Sequence, residues 1–121
     1  MGYWVVVFLV FLKVVRLNRA NMGTVKEFED LEIWSLARDL VIDIYSDFGE
    51  CKDFIFRNQI TSAGISVMNN ISEGFSRNSN AEFRRFLSYS KGSAAEVKNM
   101  FYIAVISNFE VSYFSNQKVP V

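Results

Sequence analysis

The sequence predicts an all-α protein whose amphipathic helices pack into a bundle, and three observations lead to this fold class. Apolar residues between Ile33 and Asn108 recur at steps of three and four, which places them on one face of each helix. Two polar segments, SDFGECKD and SRNSN, interrupt that pattern and separate three helices. Half of the 121 residues are hydrophobic, so the chain can bury one core, although it is too short for two domains.

Residues 1–23 form an apolar extension that precedes the helical pattern. Its uninterrupted apolar run, Tyr3 to Leu12, has about half of the ~20 residues that a membrane-spanning helix needs, and no secretory cleavage motif follows it. Three interpretations stay open: a weak membrane anchor, an element that packs on the domain, or a non-native extension upstream of a true start at Met22. The last is preferred, so membrane association is not expected.

The helical domain is expected to span residues 24–110, and its first helix is predicted to begin at a capping box formed by Thr24 and Glu27. Helical spacing then defines an apolar stripe, with Trp34, Val41 and Tyr45 at its edges. The centre of the stripe consists of Ile33, Ala37, Leu40, Ile44 and Phe48.

The second helix is predicted over about Phe54 to Phe75. Its apolar face contains small residues, which indicate close approach of a neighbouring helix, because a helical glycine otherwise costs up to ~1 kcal/mol relative to alanine. That face consists of Phe56, Ile60, Ala63, Gly64, Val67, Ile71 and Gly74.

The third helix is predicted to begin at about Asn80, after a second capping box in which Ser79 and Glu82 satisfy each other's backbone amides. Its apolar positions alternate at steps of four and three, a period of about 3.5 that suits left-handed packing at about +20°. This seam consists of Phe83, Leu87, Ser90, Ala94, Val97, Phe101, Ala104 and Asn108.

The pattern fades after Asn108, and residues 111–121 are predicted to form a frayed tail that contains the only proline, Pro120. No full fourth helix fits there. Three helices with long apolar stripes need another surface to cover them. We expect either the N-terminal run or another subunit to supply it.

The composition argues against catalysis and metal binding. The chain has no histidine, which removes the commonest general base and zinc ligand, and its single cysteine, Cys51, cannot form an internal disulfide. The sequence also lacks a phosphate-binding loop, a nucleophile elbow and clustered metal ligands. We therefore expect a non-enzymatic protein without a cofactor, located in the reducing cytoplasm.

Charge is unevenly distributed, although the formal net charge is zero. Residues 24–56 contain nine acidic and three basic residues, whereas residues 57–121 contain seven basic and four acidic ones. Mutual neutralisation of helices within a bundle or an oligomer is the preferred interpretation, and nucleic-acid binding is the alternative.

Two polar patterns are candidate functional features. The first is a set of four polar residues that can meet along one flank of the second helix. We interpret this set as an interhelical hydrogen-bond network rather than a ligand site. It consists of Asn69, Asn70, Glu73 and Arg77. The second is a basic row in which Arg84, Lys91 and Lys98 recur every seven residues beside the apolar seam. Arg77 and Arg85 extend this row toward the turn, and the row either pairs with acidic helices or contacts a phosphate backbone.

The patterns FEDLEIW..A..L...IY and NQI..A..SV..NISEGFSR.S..EF.RFL.YSKGS..E extend from about Phe28 to Ala104. They resemble the bacterial four helix bundle family, whose members are encoded by intervening sequences in 23S ribosomal RNA genes. The most specific positions are Gln59, Ile60, Asn70, Ile71, Glu73, Gly74, Arg77, Ser79, Glu82, Phe83, Phe86, Leu87, Gly92, Ser93 and Glu96.

The resemblance implies an antiparallel (up-down) four-helix bundle that assembles as a homopentamer, with the fourth helix truncated or replaced in this chain. It also implies kinship with the accessory protein of diversity-generating retroelements, whose barrel is thought to bind nucleic acid, and no catalytic activity. The chain departs from the family at Thr61 and Ser62, where two basic residues are usual, and at Met68, where a proline is common. We expect a self-associating, RNA-associated accessory protein. The alternative is an oligomeric interaction module without a nucleic-acid role.

Overall fold

The computed structural model describes residues 25–107, which form one short 3₁₀ helix and three α-helices. The 3₁₀ helix spans Phe28–Asp30, α1 spans Glu32–Phe48, α2 spans Phe54–Phe75 and α3 spans Asn80–Ile106. No β-strand occurs in this part of the chain, so the all-α class is confirmed for it. The predicted extension of residues 1–23 and the predicted tail of residues 111–121 lie outside the described residues.

Successive helices run in opposite directions, and α1 and α3 both pack on α2. Phe48, the last residue of α1, contacts Phe56 in the first turn of α2 with ring centroids 5.3 Å apart. It also contacts Phe101, near the end of α3, with centroids 5.8 Å apart. Because the end of α1, the start of α2 and the end of α3 meet at these rings, α2 is antiparallel to both α1 and α3.

The apolar faces predicted for the helices fill one core. All seven predicted face residues of α2 are buried, and so are the predicted seam residues of α3 from Phe83 to Ala104. The last predicted seam residue, Asn108, lies outside the described residues. The largest fully buried side chains are Phe48, Phe101, Ile33, Leu40, Ile44, Ile60, Ile71, Leu87 and Val67.

Close contact between α2 and α3 depends on a glycine and a serine. A Cβ atom added at Gly74 would lie only 2.5 Å from Cβ of Phe86 on α3, so no larger residue fits without moving a helix. Ser90 is fully buried, and its hydroxyl donates a hydrogen bond of 2.8 Å to the carbonyl of Val67. That bond explains a polar residue in an apolar seam, because a buried hydroxyl without a partner is costly.

Side-chain caps start two of the helices. The Asp53 carboxylate accepts a hydrogen bond of 3.0 Å from the Phe56 amide at the start of α2. The Ser79 hydroxyl accepts one of 3.1 Å from the Glu82 amide at the start of α3. The Glu82 carboxylate, which the capping box would direct back to the Ser79 amide, bonds instead to Arg85 at 2.9 Å.

The predicted start of the first helix is wrong, because α1 begins at Glu32. Leu31 before it has an extended backbone and is 4% exposed, and Phe28 packs on Trp34 with ring centroids 5.5 Å apart. Burying these two side chains breaks the helical path that local propensity alone would continue. Thr24, the predicted cap, lies outside the described residues.

Tyr45 was expected at the edge of the apolar stripe of α1, but its side chain is 54% exposed. Trp34 and Val41, the other two edge residues, are half-buried. Since α1 packs mainly on α2 among the described helices, its buried stripe is narrower than the sequence predicts.

Candidate functional site

Three arginines, Arg77, Arg84 and Arg85, lie at or shortly after the turn between α2 and α3, and we call this region the arginine end. Arg77 follows the last residue of α2 by two positions, and Arg84 and Arg85 lie in the second turn of α3. The guanidinium carbons of Arg77 and Arg85 lie 4.8 and 5.6 Å from the centre of the Phe86 ring. Both distances are within the range of cation–π attraction.

Phe86 is therefore the aromatic side chain that both Arg77 and Arg85 contact. It is 8% exposed, and the side chains of the two arginines shield it from water by lying over its ring. Its ring also meets that of Tyr89 edge-on, with centroids 5.7 Å apart. Tyr89 itself is 52% exposed, so an accessible aromatic ring lies beside the arginines.

Two of the three arginines pair with carboxylates on their own side of the turn. Arg77 bonds to Glu73 at 2.8 Å and Arg85 to Glu82 at 2.9 Å, and all four side chains are at least 39% exposed. Such exposed pairs stabilise a helix by only ~0.2–0.5 kcal/mol, so a phosphate can compete with them. Arg84 donates to the Asn80 carbonyl at 3.4 Å and makes no ion pair with the described residues.

The basic row continues from the arginine end along α3. Arg84, Lys91 and Lys98 are exposed, and because α3 is continuous from Asn80 to Ile106, residues seven apart share a face. Each heptad advances about 10 Å along the axis, so the row extends for roughly 20 Å. Both lysines also interact with other groups of the protein.

The polar set predicted on α2 separates into two parts. The Asn70 amide donates to the Ser66 carbonyl at 2.8 Å and to the Ser66 hydroxyl at 3.0 Å. Glu73 and Arg77 form the separate ion pair described above. The Asn69 side chain is exposed and makes no hydrogen bond with residues 25–107. The four side chains thus do not form one network.

A hydrogen bond that sequence reasoning missed links the two helices instead. The hydroxyl oxygens of Ser66 on α2 and Ser93 on α3 lie 2.7 Å apart. The only signal in the sequence was the helical spacing of Ser66, which lies four residues before Asn70 and three after Ala63. Asn70 donates to the same Ser66 hydroxyl, so it is linked to the packing of α2 on α3 through that serine.

A cavity of about 360 Å³ beside the same turn was also missed. Its lining combines aromatic residues, asparagines and one arginine of the arginine end. The lining residues are Val25, Phe75, Arg77, Asn78, Ser79, Asn80 and Phe83. Residues from two helices and from the segment before α1 meet there, which no local pattern indicates.

Residues 25–107 contain neither a cluster of metal-binding side chains nor a membrane-spanning helix. No group of three cysteine, aspartate or glutamate side chains converges as a metal site requires. No helix in this range is both long enough and apolar enough to cross a membrane.

The fold and the arginine end define a small antiparallel helical-bundle protein with a basic, aromatic-backed surface at one turn. Its sequence matches the profile of the 23S rRNA-intervening sequence protein family over residues 29–117, and the chain belongs to that family. The match confirms the resemblance found in the sequence. No curated protein and no solved structure matches the chain.

Proposed function

We propose that this protein is a non-enzymatic, cytoplasmic accessory protein that self-associates and binds RNA through the phosphate backbone. The arginine end and the basic row, Arg77, Arg84, Arg85, Lys91 and Lys98, contact the phosphates. The family description supports an RNA context, because its members are named for sequences that interrupt a ribosomal RNA gene.

The observation that carries this proposal is that Arg77 and Arg85, from either side of the α2–α3 turn, both lie over the Phe86 ring. Arg84 begins the exposed row of α3 and makes no ion pair with the described residues. The Phe86 ring and weak, exposed ion pairs hold Arg77 and Arg85 in place. Two guanidinium groups held over one ring suit phosphate oxygens, with which arginine forms paired hydrogen bonds.

The affinity for a single-stranded RNA, measured against salt concentration, tests the proposal. Counterion release predicts that the logarithm of the affinity falls linearly with the logarithm of the salt concentration, by about 0.7 per phosphate contact. Arg84→Ala should lower both the affinity and that slope. Arg57→Ala is the matched control, because Arg57 also lies over an aromatic ring, Phe54 at 4.6 Å, but at the opposite end of the bundle. Absence of binding at ~50 mM salt would contradict the proposal.

A second candidate function is an oligomeric interaction module without a nucleic-acid role, and the charges of the helices favour it. In α1 four acidic residues accompany one basic residue, whereas α3 carries four basic and two acidic residues. An acidic α1 of one copy can neutralise the basic row of another. Under this alternative, lysine and arginine substitutions in α3 weaken the oligomer and leave RNA affinity at background.

Self-association is supported by apolar side chains at the end of the bundle opposite the arginines. Six exposed large hydrophobic residues lie there, at the end of α1, the start of α2 and the end of α3: Ile42, Tyr45, Phe54, Ile55, Ile103 and Ile106. Exposed large apolar side chains favour protein association. We further propose that the assembly is the pentamer implied by the family resemblance and that the fourth position of each bundle is filled by the N-terminal run or by another subunit. The native mass, measured with and without RNA, tests the assembly.

A further inference from the structure

The cavity beside the α2–α3 turn has the volume of a small-ligand site. Its volume of about 360 Å³ lies within the ~300–1,000 Å³ of typical ligand pockets. Arg77 lines it and also lies over Phe86, so the cavity and the arginine end share a wall. A molecule in the cavity would therefore lie next to any phosphate held by the arginines.

One wall of the cavity is aromatic. The rings of Phe75 and Phe83 meet edge-on with centroids 5.9 Å apart, and Val25 completes the apolar part of the lining. Phe83 is 7% exposed and Phe75 is half-buried, so both rings are held by the core. A flat aromatic ligand can pack on such a wall, because bases removed from a stack regain contact energy on aromatic side chains.

Two asparagines of the lining offer hydrogen-bonding groups that residues 25–107 do not use. The side-chain amides of Asn78 and Asn80 are exposed and make no hydrogen bond with residues 25–107. Each amide has one acceptor oxygen and two N–H donors, the combination that reads the edge of a nucleobase. Ser79, between them, is already engaged, because its hydroxyl caps α3. Arg77 uses one guanidinium nitrogen on Glu73 and retains other donors.

We propose that this cavity holds one unpaired nucleobase of a single-stranded RNA, with the adjoining phosphate on Arg77. The base packs on Phe75 and Phe83, and Asn78 and Asn80 bond to its edge. This inference rests on the proposed function and adds a preference for unpaired over duplex RNA, because a base within a duplex cannot enter the cavity.

Titration of the isotopically labelled full chain by NMR tests the cavity without RNA. Ribonucleoside monophosphates should shift the side-chain amide signals of Asn78 and Asn80 clearly more than inorganic phosphate and ribose 5-phosphate do at the same concentration. Equal shifts with all three kinds of probe would mean that only phosphate is bound and would overturn the inference. Absence of any shift at the two asparagines would overturn it as well.

A second experiment compares an RNA hairpin with an unpaired loop and the same hairpin with abasic loop positions. The double variant Asn78→Ala, Asn80→Ala should bind the intact loop roughly tenfold more weakly than the wild type and bind the abasic loop equally well. Asn99→Ala is the matched control, since Asn99 is an exposed asparagine of the same helix, roughly 28 Å further along α3.

The two proposals fail in different ways. If the double variant binds both hairpins as the wild type does while Arg84→Ala weakens both, the cavity inference is overturned and phosphate binding stands. If the wild type binds neither hairpin at ~50 mM salt, the proposed function fails. The nucleotide titration then decides alone whether the cavity takes a base.

Discussion

The close approach of α2 and α3 at Gly74 predicts a steep response to one added methyl group. A Cβ at this position would lie 2.5 Å from Cβ of Phe86 and 3.1 Å from Cδ2 of Phe83. Cβ of Phe86 is attached directly to the backbone of α3, so a change of rotamer cannot move it away. The two helices have to separate locally, and such overpacking costs typically ~1–3 kcal/mol.

Alanine also has a higher helix propensity than glycine, which returns up to ~1 kcal/mol. The free energy of unfolding of Gly74→Ala should therefore fall by about 1–2 kcal/mol. Gly92 is the matched control, because it lies within α3 and a Cβ there meets no atom within 4 Å. Gly92→Ala should raise the stability by about 0.5–1 kcal/mol. The two variants should thus differ by about 1.5–3 kcal/mol in opposite directions from the wild type.

Gly64 provides an intermediate case. A Cβ there would lie 2.5 Å from Cδ1 of Ile44, the far end of a flexible side chain that can rotate away. Gly64→Ala should therefore be less destabilising than Gly74→Ala. Urea denaturation of all variants at one protein concentration, followed by far-UV circular dichroism, measures the order. If Gly74→Ala is as stable as Gly92→Ala, the contact between α2 and α3 is not as tight as the structure indicates.

Three further predictions concern the interior, a cap and pH. Ser90→Ala removes the buried hydrogen bond to the Val67 carbonyl and should lower the free energy of unfolding by about 1 kcal/mol, whereas Ser88→Ala, at an exposed site of α3, should change it little. Ser79→Ala removes the α3 cap and should lower the free energy of unfolding by about 1 kcal/mol. Ser79→Asp should lower it much less, because aspartate also caps helices. Burial raises the pKa of the Asp43 carboxyl, and the neighbouring Asp47 and Asp39 carboxylates raise it further. Because the folded-state pKa lies above the unfolded value, the Asp43 charge disfavours folding above both values, and stability is regained as pH falls through the folded-state pKa. The free energy of unfolding, measured by urea denaturation at a series of pH values from about 7 downward, should show this gain in the wild type and a smaller gain in Asp43→Asn. A gain of equal size in both proteins would contradict the prediction.

The starts of α2 and α3 could be predicted from the sequence because they depend on local chemistry. Asn80 follows a serine whose hydroxyl caps the helix, and Phe54 follows an aspartate that does the same. The start of α1 could not be predicted in this way. The burial of Leu31 and the contact of Phe28 with Trp34 depend on neighbours that appear only when the chain folds.

The features of the candidate site could likewise be predicted from the sequence only in part. The heptad spacing of Arg84, Lys91 and Lys98 could be read from the sequence, since a helix places residues seven apart on one face. That Arg77 and Arg85 lie over the same ring could not, because Arg77 and Phe86 come from opposite sides of a turn. The Ser66–Ser93 bond joins residues 27 positions apart and was equally hidden.

The sequence by itself therefore determined that this chain is helical, which faces its second and third helices bury and which family it belongs to. These properties depend on periodicity, on caps and on residue identity, which can all be read from the sequence without knowing which distant residues come into contact. The tertiary structure alone decided which side chains meet across helices: the arginines over Phe86, the asparagines beside the Phe75–Phe83 wall and Gly74 against α3. Such contacts depend on the distance and rotation between packed helices, and many residues far apart in the chain set these together.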